Sequence, residues 1–221
     1  MGWYSLSNTK YYIAVVSKLI VEVKDACSYS HVSIIFQFVK IIASVIARQN
    51  SKRLAYKNLL PYKGVPLVLR AVRKLLDSNL FNEVILSTDS ELIAYTCKNE
   101  DGLSVLHRPP ELCEDDVASI PVFQHILENF PADVHLNYNC NFPECCESVF
   151  KKGIKLALEK EESLSVPYAV WTQTKECLIN YGDPFQITAV TFEDDGIGTT
   201  DIHTMEDLIH VHRENLGNVS W

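Results

Sequence analysis

Four cations fall within ten residues of one another: Arg48, Lys52, Arg53 and Lys57, with Asn50, Ser51 and Asn58 among them. Guanidinium groups grip phosphate oxygens with two donors, and lysines act as mobile point charges. Backbone N–H groups in such a turn add further donors. The ligand that suits this chemistry is a polyphosphate accompanied by a divalent cation, because a triphosphate brings several negative charges. Solvated surface charge has the same composition, so position has to decide. The run follows directly on the apolar stretch Ile41–Ala47, as a buried strand delivering its C-terminal end into an anion-binding loop would. A second apolar strand ends in Ser87-Thr88-Asp89-Ser90. Two such ends side by side predict a crevice that is basic on one side and acidic on the other.

Asp89 could hold a sugar hydroxyl, a base amino group or a cation, or it could cap a helix. Asp201 and His203 alternate just before the last helix. Such a pair could present one or both side chains to a metal, or it could close a turn and lie on the surface. His107, His125, His135, His210 and His212 have no matched metal spacing and read as structural. No G-x-x-x-x-G-K-[ST] loop and no dinucleotide fingerprint occurs. No Ser-His-Asp arrangement follows from the spacings.

The elements that must position these residues alternate. From Ile41 the chain predicts strands at 41–47, 82–86, 103–106 and 134–138 and helices at 65–78, 90–98, 117–128 and 144–158, joined by short connections. The helix after Gly64 buries Leu69, Val72 and Leu76 between Arg70, Arg73, Lys74 and Asp77, with Pro66 in its first turn. That order is the order of a doubly wound sheet. Glu159–Ser163 reads as a charged linker, followed by strands at 165–171 and 186–192 and a helix at 204–214. Thr204 is a good cap for that helix, and Asp207 is the matching capping-box acid.

With 221 residues the chain suffices for one sizeable α/β domain, here residues 41–221, preceded by an accessory N-terminal element over residues 1–40. Within that element Tyr11–Val23 is apolar but broken by Lys18 and Glu22. It is too short for a membrane span, and no signal-peptide pattern precedes it. The formal net charge of −8 argues against nucleic acid as a partner. Seven cysteines without a paired framework read as free thiols in a reducing, cytoplasmic compartment.

The segment IARQNSKRLAYKNL resembles the signature loop of the cytidylyltransferases that activate sugar acids, the acylneuraminate and deoxy-octulosonate (KDO) enzymes. The pattern there is roughly P-A-R-x-G-S-K-R-x-x-x-K-N, and Ala47, Arg48, Ser51, Lys52, Arg53, Lys57 and Asn58 match it. The likeness continues in order through Gly64–Leu67, Phe81–Ala94, Arg108–Asp115 and Asp201–Leu208. The resemblance implies a three-layer Rossmann-like nucleotide-diphospho-sugar transferase fold with a mostly parallel sheet. It implies that a keto-sugar acid attacks the α-phosphorus of CTP through its anomeric hydroxyl, helped by Mg²⁺, with pyrophosphate leaving and a CMP-sugar formed. Catalysis would be mostly positioning and charge neutralisation. On this likeness Arg48, Lys52 and Lys57 hold the triphosphate, and Ser51, Arg53 and Asn58 shape the nucleotide pocket. Asp89 lies near the nucleoside, Asn137 matches a substrate-side asparagine, and Asp201 is a metal ligand.

The departures from the family pattern are specific. Ile46 replaces the usual proline and Asn50 the usual small residue before the serine. Asn141 falls where a metal-binding aspartate is expected, and His203 replaces the second acid of D-I-D. An amide oxygen brings no charge, and imidazole suits Mn²⁺ better than hard Mg²⁺. The long excursion that the family usually carries after this point is missing, and SVPYAVWTQTKECLINYGDPF stands there instead. Its Tyr168, Trp171, Tyr181 and Asp183 could wall an acceptor site or fill the core, and a homodimer stays open. A nucleotide-binding module that has lost turnover is the alternative to an active enzyme.

Overall fold

The computed structural model describes residues 39–51 and 53–216, with side chains as far as Arg213. Lys52 and the expected accessory stretch through residue 38, Tyr11–Val23 included, lie outside the described residues. The chain forms β1 (Ile41–Ile46), β2 (Pro61–Tyr62), β3 (Val65–Pro66), α1 (Leu67–Asp77), β4 (Glu83–Thr88), α2 (Glu91–Thr96) and β5 (Leu103–His107). There follow α3 (Ser119–Asn129), β6 (Val134–Tyr138), α4 (Glu147–Lys160), β7 (Glu162–Ser165), β8 (Val170–Thr174), α5 (Lys175–Ile179), β9 (Val190–Phe192) and α6 (Met205–Leu216). Seven strands make one sheet in the order β5-β4-β1-β6-β8-β7-β9. β1 pairs in parallel with both β4 and β6, and β8 alone runs against its neighbours.

The periodicity of the sequence explains the layers. A strand sends alternate side chains to opposite faces. Ile41, Ala43 and Val45 of β1 pack with Val68, Val72 and Leu75 of α1 and with Val149, Phe150 and Ile154 of α4. Ile42 faces the other way, onto Phe123, Ile126 and Leu127 of α3 and Leu178 of α5. A sheet covered on both faces is why β1 reads as a continuous apolar run. No helix among the described residues is long and apolar enough to cross a membrane.

Several expected elements shift. The supposed linker at Glu159–Ser163 is the end of α4 and the start of β7. Glu162 is buried there because Trp171 Nε1 donates to its Oε1 at 2.9 Å and Thr188 Oγ1 to its Oε2 at 2.7 Å. The strand expected at 165–171 is two strands, β7 and β8, paired antiparallel. Of the run 186–192 only Val190–Phe192 is a strand, and the helix expected from Glu144 begins at Glu147. Trp171 and Tyr168 stack edge to face at 5.6 Å, and Trp171 meets Phe123 in the same way at 5.5 Å. These two aromatics fill the core.

A third, smaller cluster decides the site. Ile202 is fully buried among Leu54, Tyr62, Leu67, Leu208 and Val211. It clamps the segment before α6 onto the loop that follows β1. The same i, i+2 alternation that buries Ile202 turns Asp201 and His203 the other way. The expected capping box fixes the start of α6: Thr204 N donates to Asp207 Oδ2 at 2.7 Å and Asp207 N to Thr204 Oγ1 at 3.2 Å.

Candidate active site

The chain passes from β1 to β4 and β5 on one side of the sheet and to β6 on the other. The crevice outside the carboxyl ends of β1 and β6 is therefore the switch point at which open α/β sheets bind ligands. A cavity of about 400 Å³ opens there. Arg48, Asn50, Ser51, Arg53, Lys57 and Asn58 line it on one side, Arg108, Glu114, Asp115, Ser119 and their apolar neighbours on another, with Asn139, Cys140 and Asn141 completing it. The expected crevice between β1 and β4 is thus displaced by one strand. Its acidic side comes from Glu114 and Asp115 rather than from Asp89. Asp89 is occupied elsewhere, accepting from Gln49 N at 2.7 Å.

The cationic loop is held by local bonds that leave its charges near the cavity. Asn58 Nδ2 donates to Arg48 O at 2.9 Å, and Cys140 Sγ donates to Asn58 Oδ1 at 3.2 Å. One buried amide thus ties both ends of the loop to the end of β6. Arg48 Nη1 lies 2.8 Å from Asp115 Oδ1 and donates to Glu114 O at 3.2 Å. Burial pulls the Lys57 pKa below the ordinary lysine value, while Cys140 and Asp201 push it back up and Arg53 and Arg48 add to the fall. Desolvated charge of this kind interacts more strongly with an incoming anion than a surface lysine does.

Four of the described expected residues are not among those lining the cavity: Asp89, Asn137, Asp201 and His203. Asn137 is buried in the sheet, where its Oδ1 accepts from Ser44 Oγ at 3.3 Å and its Nδ2 donates to Tyr168 Oη at 2.9 Å. Asp89 takes the Gln49 amide. Conversely, Arg108 lines the cavity although only its motif stood out in the sequence. It is nearly buried, donating to Ser87 O at 2.9 Å through Nη2 and to Ser87 Oγ at 3.3 Å through Nε. Burial lowers its pKa from the arginine value, against the pull of Cys113 and Asp89. The R-P pair after a strand was the available signal. Ser119 and Asn139 gave none.

Beside the loop, Asn141, Asp201 and His203 come together. Asn141 Nδ2 lies 3.4 Å from each ring nitrogen of His203, and Asn141 O accepts from Ile202 N at 3.0 Å. His203 Nε2 is 2.7 Å from Asp201 Oδ1, yet that oxygen receives no aligned hydrogen bond. Asn141 Oδ1 is likewise buried without a partner. Desolvation raises the Asp201 pKa, with His203 and Lys57 opposing. It lowers that of His203, with Asp201 opposing. No three His, Cys, Asp or Glu side chains among the described residues form a metal-holding group. The unpartnered Asn141 Oδ1 and the Asp201 carboxylate are oxygen donors of the kind taken by a divalent cation that draws its other ligands from phosphate, the habit of Mg²⁺ in nucleotide sites.

The sequence model of the cytidylyltransferases matches residues 42–214. The chain belongs to the cytidylyltransferase family. An N-acylneuraminate cytidylyltransferase of Streptococcus agalactiae serotype V is 34% identical over 93 residues, 41% of this chain and 22% of that protein. A pseudaminic acid cytidylyltransferase of Campylobacter jejuni subsp. jejuni serotype O:2 is 32% identical over 89 residues, 40% of this chain and 38% of that protein. The matches thus span well under half the length of these relatives. The fold is that of CMP:2-keto-3-deoxy-manno-octonic acid synthetase, solved with CTP: the TM-score is 0.65 at 15% identity, covering 78% of this chain and 96% of that one.

Proposed function

We propose that this member of the cytidylyltransferase family transfers the cytidylyl group of CTP to a keto-sugar acid, releasing pyrophosphate and forming a CMP-sugar. The observation that carries this reading is the cavity at the β1–β6 switch point, walled by the cationic loop that ends β1. Arg48, Arg53 and Lys57 would hold the triphosphate, as would Lys52, which lies outside the described residues. Arg108 would hold the nucleotide from the opposite wall. Asn58 keeps the loop in register with β6. The nucleophile is the acceptor's own anomeric hydroxyl, so the protein's work is alignment of that oxygen with the α-phosphorus and neutralisation of charge on the departing pyrophosphate.

Asn141 and Asp201 are the residues that would hold a divalent cation, Mg²⁺ or Mn²⁺, which would supply further charge neutralisation at the phosphates. The acceptor class follows the relatives, which act on N-acylneuraminate and pseudaminic acid. The described cysteines are free thiols, which suits a cytoplasmic enzyme. The test is pyrophosphate release from CTP against the other three nucleoside triphosphates, with a panel of keto-sugar acids and either metal. Release confined to CTP is expected. Absence of CTP binding by calorimetry with both metals overturns the reading. Binding without release across the panel favours a module that kept the pocket and lost turnover.

A further inference from the structure

The segment that carries Asp201 runs beside the one that carries Asn141, and two backbone bonds mark the ends of the contact. Ile202 N donates to Asn141 O at 3.0 Å, and Cys146 N to Gly196 O at 2.7 Å. Between those bonds one side chain, Glu144, joins the two segments. Thr200 Oγ1 donates to Glu144 Oε2 at 3.0 Å. Tyr62 Oη donates to Oε1 at 2.5 Å, and Lys63 Nζ lies 3.5 Å from the same oxygen. The carboxylate thus meets three stretches of chain: its own after β6, the approach to Asp201, and the β2–β3 hairpin that follows the cationic loop. The Tyr62 bond first, with Thr200 and Lys63 adding, holds the Glu144 carboxyl below the ordinary glutamate pKa against its burial. Burial, then the bond to Glu144, raises the pKa of Tyr62, which keeps its proton. Glu144 therefore only accepts, and its three partners donate to it. Gly198 makes the approach possible. Its φ is +79°, and a Cβ there would lie 2.9 Å from Glu144 Cβ. A side chain at 198 would strain the backbone and push Glu144 off Thr200.

We propose that Glu144 is a positioning residue that sets Asp201 against Asn141 for a divalent cation. The inference rests on the cation-site reading above. Glu144 is not among the residues lining the cavity. It acts through Thr200, the residue before Asp201, and through its own chain, which carries Asn141. Burial of Ile202 draws the approach onto the loop, but apolar burial is non-directional. The hydrogen bond from Thr200 is directional and supplies the register that burial leaves open. Ligands held in place by such a bond bind with less ordering still to be imposed, which raises affinity without a new contact to the ligand.

The test reads binding, not turnover. Thr200→Val keeps the shape of the side chain and removes the donor to Glu144. Calorimetric Mn²⁺ titration into the full chain saturated with CTP should give an affinity about tenfold below the wild type, the scale on which groups behind a metal ligand act. CTP affinity measured without metal should stay at the wild-type value, because the cationic loop is untouched. Thr200→Ser restores the hydroxyl and should restore the metal affinity. The matched control is Thr174→Val. Thr174 Oγ1 accepts from Cys177 N at the start of α5, away from the cavity-lining residues. Losing that cap should lower Tm and leave Mn²⁺ affinity unchanged. If the wild type binds CTP and Mn²⁺ but Thr200→Val binds Mn²⁺ equally well, the positioning role is overturned and the nucleotide site stands. An equal loss in Thr174→Val, or no rescue by Thr200→Ser, overturns it too. A wild type that binds CTP but no Mn²⁺ overturns the cation site and the positioning role together, and one that binds no CTP overturns the nucleotide-site reading as well.

Discussion

The two sides of the site are built on opposite economies. The loop after β1 gathers cations that, among the described residues, are half-buried or exposed, with Arg48 loosely matched to Asp115 at 2.8 Å and Arg53 to His203 at 2.8 Å. The side formed by Asn141, Asp201 and His203 has one carboxylate, an uncharged amide and an imidazole; Asn141 Oδ1 is buried without a donor, and Asp201 Oδ1 lies 2.7 Å from His203 Nε2 without an aligned hydrogen bond. The first side stores positive charge that an anion can use. The second stores unmet acceptor capacity that a cation can use. What joins them is apolar: Ile202 buried with Leu54, Tyr62 and Leu67. Binding geometry thus depends on a small hydrophobic clamp as much as on the charges.

Breaking the clamp should have the largest effect. Ile202→Ala deletes buried carbons from a cluster with few members, for which losses of about 2–5 kcal/mol are usual. A lowered Tm by calorimetry is expected, together with weaker CTP binding, because Asp201 and His203 lose their fixed approach to the loop. A Tm equal to that of the wild type would mean that the two sides hold their positions independently.

Removing charge from the cationic side comes next. Lys57 is half-buried, and Lys57→Ala should cost about 1.5–3 kcal/mol of triphosphate binding, roughly tenfold to more than a hundredfold in Kd. Arg48→Ala should cost less, because Arg48 gives up its Asp115 contact on binding phosphate and the net gain is the difference. Calorimetric titration of CTP into both variants decides the order, and a larger loss at Arg48 would contradict the ion-pair argument.

How much of this contrast was legible beforehand differs by side. The cationic loop is contiguous in sequence and follows an apolar run, so local pattern was enough to find it. The capping box at Thr204 and Asp207 was legible for the same reason. The other side required knowing that β6 neighbours β1 and not merely that both are strands. Without that pairing, Asp89 was a reasonable second wall, whereas the chain spends it on the Gln49 amide. Asn137 misled because it lies inside β6, one residue before the strand ends, where its side chain is already committed. It points into a polar network with Ser44 and Tyr168, while Asn139 and Asn141, past the strand end, reach the cavity. Glu162 was hidden because a glutamate signals solvent until its distant partners, Trp171 and Thr188, are known.

The oxygen-poor side can be sharpened instead of broken. Asn141→Asp adds a negative charge where an unpartnered amide oxygen now lies. Metal affinity in the presence of CTP should rise by roughly tenfold, the scale of one added charge-assisted contact, with Mg²⁺ gaining more than Mn²⁺ because a carboxylate is the harder ligand. Comparing the two metals by calorimetry checks both statements, and an unchanged Mg²⁺ affinity would place Asn141 outside the coordination sphere.

The smallest expected effect concerns the cap that starts α6 directly after His203. Asp207 accepts from the backbone N–H groups of His203 at 2.9 Å and Thr204 at 2.7 Å. Those bonds, the His203 one first, hold its carboxyl below the ordinary aspartate pKa. A carboxylate whose folded pKa is depressed stabilises the fold above its unfolded pKa, and that stability is lost as pH falls through the folded value. The cap should therefore be at full strength at neutral pH and weaken only in acid, below the usual aspartate range. Thr204→Ala removes the reciprocal bond to Asp207 N and should cost about 1 kcal/mol, as cap deletions do. Asp207→Asn should cost stability at neutral pH and flatten the acid limb of the stability curve, because the group that titrates there is gone. Urea melts at neutral and acid pH for the two variants separate these effects. If Asp207→Asn keeps the wild-type acid limb, the pH response comes from another carboxylate and the cap contributes only its neutral hydrogen bonds.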